Sequence, residues 1–275
     1  MDRLDRLRFG EIAVRTVSDG HLLLGLDGFF PDAPLAAFRA YGAGVVDDKL
    51  RCPLTSFVVE SAGRTLLVDT GLGNFLGRFE GACGSLPAEL AAAGIAPERI
   101  DAVVFTHLHP DHVGWNCTER DGAYLPSFPN ARYVIHRPEW ERWKDVEAGY
   151  IRRHVLPLAG SGQLELVDDG FEPAPGVRLL STPGHTAGHV SILVYGGGEG
   201  AVITGDAAHH PLELEHPEWS PSADDDRAQS ARSRAALVER IEAEGLTVLG
   251  GHFPAPHAGR LVRVEARRVY RPLSG

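Results

Sequence analysis

The amino-acid sequence predicts a layered α/β protein, and three observations support this fold class. Short apolar runs of strand length alternate with helix-like segments in both halves of the 275-residue chain. Several of these apolar runs end in a histidine or an aspartate, as strands do where they lead into functional loops. No internal repeat, low-complexity tract or polar linker interrupts the pattern, so we expect a single domain over residues 1–275.

The individual elements follow from local patterns. A hairpin is predicted from residues 54–60 and 65–69, two apolar runs joined by a short polar turn. A helix is predicted over residues 85–94, where Ser85 can cap its start and Gly94 can end it. The other predicted strands are 11–20, 99–107, 132–136, 177–185, 189–197, 201–206, 247–252 and a terminal strand at 261–273, and the other predicted helices are 137–149, 150–160 and 224–245.

The composition excludes several classes of protein. The chain has 27 Lys and Arg against 37 Asp and Glu, a net charge of −10, which argues against nucleic-acid binding because phosphate contacts need a basic surface. No apolar run of about 18 residues predicts a membrane span, and the first residues do not resemble a signal peptide. Cys52, Cys83 and Cys117 form no paired motif, so we expect a reduced, cytoplasmic protein.

Five apolar runs lead directly into a histidine or an aspartate, and these endings are the most informative feature of the sequence. In open α/β sheets the functional side chains gather on the loops that leave the carboxyl ends of strands. If these strand ends lie along one edge, the five side chains converge. The five residues are Asp69, His107, His185, Asp206 and His252.

The segment THLHPDH contains the densest group of ionisable residues. His107 and His109 alternate along an extended stretch, so both can face one metal ion. Pro110 forces a turn, which would direct Asp111 and His112 elsewhere, toward a second ion. A solvated loop without metal is the better explanation of a single HxH pair. That alternative does not explain HxHxDH together with PGH, GD and GGH farther along the chain.

This set of motifs resembles the metallo-β-lactamase superfamily, with the motifs in the family's order. The resemblance implies a four-layer αββα sandwich with two mixed β-sheets flanked by helices and a two-metal site at one edge. It also implies that Asp69 supports the metal ligands through hydrogen bonds. The implied ligands are His107, His109 and His185 for the first metal, Asp111, His112 and His252 for the second, and Asp206 bridging both.

The ligand types narrow the branch of the superfamily. Imidazole and carboxylate ligands suit zinc and also accept iron, manganese or cobalt. The absence of a cysteine beside Asp206 argues against the lactamases with a zinc-bound thiolate. The flavin-associated di-iron oxidoreductases have a glutamate at the position of His109, so this histidine argues against that branch. Among the branches of the superfamily, the sequence resembles the acyl-homoserine-lactone lactonases and the methyl parathion hydrolases. We therefore expect a metal-bridging hydroxide that attacks a small neutral ester or lactone, or a phosphotriester in a side activity.

Other functions on the same fold stay open at this point. A persulfide-dioxygenase-like oxidoreductase with one iron shares much of the histidine pattern, and other thioesterases share the fold. A non-catalytic binding protein would be expected to have lost ligands, and none is missing here. The partner is expected to be a small molecule rather than a nucleic acid or a membrane, with a homodimer as one possible assembly.

Several residues are candidates for contact with the substrate. Asp111 can shuttle a proton, and His209 occupies the position where many lactonases of the family have a tyrosine that contacts the substrate. His189 is expected to make a structural hydrogen bond. His210 is a weaker candidate than His209, and one of these two neighbours could be a plain surface histidine. The predicted pocket residues are Phe29 and Phe30 from an aromatic-rich segment, which could instead form a satellite core or a dimer contact, together with Trp115 and Trp219.

Overall fold

Two β-sheets face each other in the computed structural model, which describes residues 6–74, 76–77 and 79–274. Strands are numbered in chain order. The first sheet contains β1 Leu7–Phe9, β2 Ile12–Gly25, β3 Val45–Val46, β4 Lys49–Ser61, β5 Arg64–Val68, β6 Glu80–Ala82, β7 Ala102–Val104, β10 Arg132–His136 and β11 Leu164–Val167. The second contains β12 Val177–Ser181, β13 Val190–Gly196, β14 Glu199–Ile203, β15 Thr247–Leu249, β16 Ala258–Val264 and β17 Arg267–Pro272. A separate ribbon pairs β8 Cys117–Arg120 with β9 Ala123–Pro126.

Nine α-helices connect the strands in the described part of the chain, and several of them cover the outer faces of the two sheets. They are α1 Leu26–Phe29, α2 Leu35–Tyr41, α3 Leu86–Ala92, α4 Pro110–Val113, α5 Arg137–Trp143, α6 Gly149–His154, α7 Leu156–Ser161, α8 Pro211–Glu215 and α9 Arg227–Glu244, with short 3-10 turns at Pro97–Arg99 and Gly205–Ala207. None of the helices in the described part of the chain has the length and apolar character needed to cross a membrane.

Three apolar clusters separate the layers. One lies between the sheets and is built from both, for example Val68 of β5 against Ile192 of β13. A second joins the first sheet to α3, α5, α6 and α7, and a third joins the second sheet to α9. The order helix, sheet, sheet, helix is the αββα sandwich implied by the sequence motifs, and the predicted fold class is confirmed.

The sheet topology brings the polar strand ends together. In the first sheet β5 and β7 are parallel neighbours, and in the second sheet β14 and β15 are parallel neighbours. The carboxyl ends of parallel strands share one edge of a sheet, so the loops after these four strands start from the same edges. The loop after β12 joins them, as shown below by contacts of His185.

Two local expectations were wrong. The predicted terminal strand at 261–273 is a hairpin, because Glu265 takes a left-handed conformation with φ of 49° and reverses the chain between β16 and β17. Ser85 precedes α3 but its side chain makes no capping hydrogen bond. Instead the carboxylate of Asp19 accepts the backbone N–H of Leu86 at the start of that helix, 2.9 Å from Oδ1.

Asp19 holds three separate loops together. Its Oδ2 accepts the N–H groups of Leu72 and Gly73, and its Oδ1 accepts those of Gly84 and Leu86. The indole N–H of Trp115 donates to the same Oδ1 at 2.8 Å. Burial raises the pKa of the Asp19 carboxyl, and the hydrogen bonds oppose that rise. Both carboxylate oxygens therefore face donors only.

We expect Asp19→Asn to lower the free energy of unfolding by about 2 kcal/mol or more, because an amide NH2 at either position would face N–H donors. Thermal unfolding measures the change. Asp27→Asn is the matched control, since Asp27 is exposed and accepts only the N–H of Gly28. Equal stability of the two variants would contradict this account of Asp19.

Candidate metal centre

Two groups of imidazole and carboxylate side chains meet where the strand ends converge. In each group the donor atoms all lie within 4.8 Å of one another, an arrangement that could hold a metal ion. Most of these side chains are buried, and only His109 and Asp111 have intermediate exposure. The first group is His107, His109, His185 and Asp206, and the second is Asp111, His112 and His252.

The carboxylate of Asp206 lies between the two groups. Its Oδ2 is 3.1 Å from His185 Nε2 and 3.6 Å from His107 Nε2. Its Oδ1 is 3.2 Å from His112 Nε2 and 3.1 Å from His252 Nε2. Each oxygen therefore faces one group. Gly205, with φ of 54°, permits this approach, since a Cβ there would lie 2.7 Å from His189 Nε2.

Hydrogen bonds on the far side of the rings fix which nitrogen faces the centre. His112 Nδ1 donates to Asp69 Oδ2 and His185 Nδ1 donates to Asp224 Oδ1, both at 2.9 Å. His252 Nδ1 donates to the carbonyl of Pro53 at 2.6 Å. In all three residues Nε2 is left toward Asp206. Such outer partners are typical of metal-bound histidines, which they orient.

Asp69 connects the two groups. Besides His112, it accepts the backbone N–H and the hydroxyl of Thr106, at 2.9 and 2.8 Å. The Thr106 hydroxyl in turn lies 3.1 Å from His107 Nδ1. Asp69 has φ of 60°, an unfavourable backbone for aspartate of the kind often found at functional sites. Asp69 thus contacts His112 directly and His107 through Thr106, and its role in supporting metal ligands stays a prediction.

The electrostatics of the centre are dominated by burial and by Asp206. Burial lowers the pKa of His107 well below its usual value and that of His109 to about 3. Burial also acts on His112 and His252, but the Asp206 carboxylate contributes to a net rise of both pKa values. For Asp206 itself, the imidazoles outweigh burial and lower the pKa of the carboxyl. The charge of Asp206 thus depends on the imidazoles around it, and the charges of His112 and His252 depend on Asp206.

The donor set fits divalent metal ions. His107 Nε2 and Asp206 Oδ1 are buried without a hydrogen-bond partner in the described structure. His109 Nδ1 faces His185 Nε2 at 2.9 Å, and His112 Nε2 faces His252 Nε2 at 3.3 Å. Pairs of ring nitrogens that point at each other are expected around a shared cation, because neutral imidazole nitrogens are zinc ligands.

A cavity of about 540 Å³ opens onto both groups. His109, Asp111, His185, Asp206 and His252 form its floor. Its walls are mostly apolar, and no Lys or Arg of the described residues lines it. The wall residues include Leu22, Leu24, Phe29, Phe79, Trp143 and Tyr150.

Of the four predicted pocket residues, only Phe29 lines this cavity. Phe30 is buried between Phe29 and Phe38 in a satellite core, the alternative left open for the aromatic segment. Trp115 lines a separate groove beside α3 and is held there by Asp19. Trp219 stacks on His216, with ring centroids 4.0 Å apart. Nearness in sequence to the metal motifs therefore did not predict nearness to the cavity.

His209 does line the cavity. Its Nε2 lies 3.1 Å from Asp206 Oδ2, and its ring packs edge-on against Phe29. Burial lowers the pKa of His209, but Asp206 and Glu213 outweigh this and raise it to about 10. His210 is buried away from the cavity and caps α8 through the N–H of Leu212, and His189 accepts the backbone N–H of Asp206. His189 therefore has the structural role expected of it, and His210 is a buried helix cap rather than a surface histidine.

Comparison with known proteins decides the family. The metallo-beta-lactamase superfamily profile matches residues 51–252, a segment that contains both ligand groups. The chain belongs to the metallo-beta-lactamase superfamily. An N-acyl homoserine lactonase of Bacillus sp is 30% identical over 220 residues, which cover 74% of this chain and 82% of the lactonase. This superfamily membership and these lactonase relatives make the chain a metal-dependent hydrolase, and they do not favour the oxidoreductase alternative.

Solved structures agree on the fold. The crystal structure of the hydrolase AbOPH of the beta-lactamase superfamily has a TM-score of 0.86 and 24% identity, covering 98% of this chain and 97% of AbOPH. AidC, a dizinc quorum-quenching lactonase crystallised with a product N-hexnoyl-L-homoserine, has a TM-score of 0.83 and 21% identity over the same shares of both chains. These TM-scores show that the chain shares the fold of both structures.

Glu139 of α5 joins two ligand-bearing loops of this superfamily member. Its Oε1 accepts the N–H of Leu108, between His107 and His109, at 2.9 Å, and the indole N–H of Trp143 at 2.7 Å. Its Oε2 accepts the hydroxyl of Thr186 and the N–H of Gly188, in the loop after His185. Sequence reasoning missed this residue, which looks like an ordinary helix-surface glutamate.

We expect Glu139→Gln to destabilise the protein by about 2 kcal/mol, because the amide NH2 would face N–H or O–H donors whichever way it turned. The amides of Leu108 and Gly188 should exchange faster with solvent deuterium. Glu141→Gln is the control on the same helix, where Glu141 is exposed and pairs with Lys144. Unchanged exchange at both amides would show that Glu139 does not hold the loops.

Proposed function

We propose that the protein is a dinuclear metal hydrolase of small neutral esters or lactones. One divalent ion would be held by His107, His109 and His185. A second would be held by Asp111, His112 and His252, and Asp206 would bridge the two. The supporting observation is the orientation of Asp206, whose two oxygens face different histidine groups at 3.1–3.6 Å.

Zinc is the metal we propose. The seven donors are five imidazoles and two carboxylates, which suit zinc and which iron, manganese and cobalt also accept. Two bound divalent ions supply a Lewis acid for a substrate oxygen and lower the pKa of water toward neutrality. The protein supplies the position of these ligands and the apolar surroundings.

Two side chains are positioned to act on the substrate. Asp111 lines the cavity and retains 18% side-chain exposure, so its carboxylate can accept a proton from the attacking water and pass it on. His209 also lines the cavity, with its Nε2 3.1 Å from Asp206 Oδ2. A hydrogen bond from Nε2 to the substrate oxygen would stabilise the negative charge that develops there.

The cavity walls support a neutral substrate. Leu22, Leu24 and Phe29 offer apolar contact on one side, and Trp143 and Tyr150 on another. No Lys or Arg of the described residues lines the cavity to hold a carboxylate or a phosphate monoester. The relatives named N-acyl homoserine lactonases support lactones as the first compounds to test. Aryl esters and phosphotriesters are the neutral alternatives.

We expect metal analysis of the purified protein to find about two transition-metal ions per chain, and His109→Ala and Asp206→Ala to lose metal together with lactone or ester hydrolysis. His216→Ala is the control, because His216 is partly exposed and outside both ligand groups. Full activity of His109→Ala or Asp206→Ala would disprove the proposed centre. Binding of only one ion by the wild-type chain would disprove its dinuclear form.

The role of His209 has a separate test. We expect His209→Phe to lower kcat by about 100-fold, because it removes the hydrogen-bond donor, while both ions stay bound. His209→Tyr restores an O–H group at this position and should recover part of the loss. If His209→Phe has wild-type kcat, the donor is not needed. If it loses metal, His209 acts as a ligand instead.

A further inference from the structure

One buried cation lies behind the centre, outside both ligand groups. Arg234 projects from α9 and is fully buried, the largest side chain to be so among the described residues. A buried guanidinium is costly unless its charge and its N–H donors are matched. Arg234 has carboxylate partners for its charge and oxygen acceptors for its N–H groups. Through these partners it is connected to His185, Asp206 and His209.

Two buried carboxylates flank the guanidinium. Arg234 Nη2 is 3.5 Å from Asp224 Oδ2, and the other oxygen of Asp224 holds His185. The same Nη2 is 3.3 Å from Glu213 Oε1. The other oxygen of Glu213 accepts the backbone N–H groups of His209 and His210, at 2.6 and 2.9 Å. Each carboxylate thus faces the guanidinium with one oxygen and the site with the other.

The remaining donors of Arg234 fix the backbone after Asp206. Nε donates to the carbonyl of Ala207 at 2.6 Å, one residue beyond the bridging aspartate. Nη1 donates to the carbonyls of Pro217 and Trp219, at 2.9 and 2.6 Å. These bonds hold both ends of the segment that carries His209 and Glu213 against α9.

We infer that Arg234 is a positioning residue for the metal centre, setting His185 through Asp224, Asp206 through Ala207, and His209 through Glu213. This inference rests on the proposed function, because it concerns ligands of the proposed centre. Arg234 does not line the cavity, so its effect would pass through these three partners.

The chemistry requires arginine rather than any cation. The planar guanidinium offers five N–H donors in a fixed fork. Here they donate to three carbonyls, to the Asp224 carboxylate and to the hydroxyls of Ser220 and Ser230, and Nη2 also forms an ion pair with Glu213 Oε1 at 3.3 Å. Lysine would keep the charge but has one nitrogen with three donors. It could therefore satisfy some of these partners and would leave the others buried without a bond.

The test is Arg234→Lys, titrated with Co²⁺ and followed by the visible absorption of the bound ion. Partners behind the ligands of a metal typically contribute 10–100-fold in affinity. We expect the dissociation constant of one of the two Co²⁺ equivalents to rise by about this factor, with a changed absorption spectrum, while the other equivalent is little affected. In the loaded enzyme kcat should fall more than KM rises. Arg240→Lys is the control on the same helix, where Arg240 is exposed and pairs with Glu244.

The outcomes are distinguishable. If folded Arg234→Lys binds both equivalents with wild-type affinity and spectrum, the inference is wrong while the proposed function stands. If the wild-type chain itself does not bind two ions, the proposed function fails first. Should Arg234→Lys not fold, as judged by circular dichroism, Asp224→Asn and Glu213→Gln decide. We expect the first to weaken one Co²⁺ equivalent and the second to lower kcat, and wild-type behaviour of both variants would overturn the inference.

Discussion

The burial of the Asp206 carboxylate among imidazoles is the constraint on which the rest of this structure depends. A buried anion is tolerated only when opposite charge and hydrogen bonds surround it. Here the surrounding groups come from four different loops, so each loop has to arrive at the same point from its own strand. The parallel pairs β5–β7 and β14–β15 meet this requirement, because their carboxyl ends open onto one edge of each sheet.

Charge is distributed in two shells around that carboxylate. The inner shell consists of the imidazoles around the Asp206 carboxylate. Several of these rings donate their Nδ1–H group to an acceptor on the side away from Asp206. Asp69 and Asp224 provide a carboxylate for His112 and His185. Arg234 then balances Asp224 and Glu213 on the far side. The ion pairs that run from Asp206 through His185 and Asp224 to Arg234 let a densely charged centre lie inside an apolar sandwich.

The sequence predicted the fold, and it singled out the seven residues that the structure brings together in two groups, whose roles as ligands stay predictions. The polar residues at the strand ends could be predicted because each of them follows a continuous apolar run. Asp111 and His112 could be predicted because they follow a proline that fixes the turn. The charged residues that hold the ligand-bearing loops and the ligands in place could not be predicted from the sequence. Asp19, Glu139 and Arg234 stand in segments where a charged residue normally faces solvent, and only the tertiary packing buries them. The cavity walls were missed for a related reason, since Phe79 and Tyr150 come from distant loops and helices.

Adjacent residues in the aromatic segment show how packing divides its functions. Phe29 turns toward the cavity and packs on His209, whereas Phe30 turns into the satellite core against Phe38. The segment can therefore be anchored by one ring while the other shapes the substrate space. Positive charge in that space would come from bound ions and from His209, whose pKa is raised to about 10, and the carboxylates of Asp111 and Asp206 oppose it. For a neutral, apolar substrate, little free energy would be needed to remove its hydration water on entering the cavity. Its oxygen would meet bound ions and the N–H group of His209 only near Asp206.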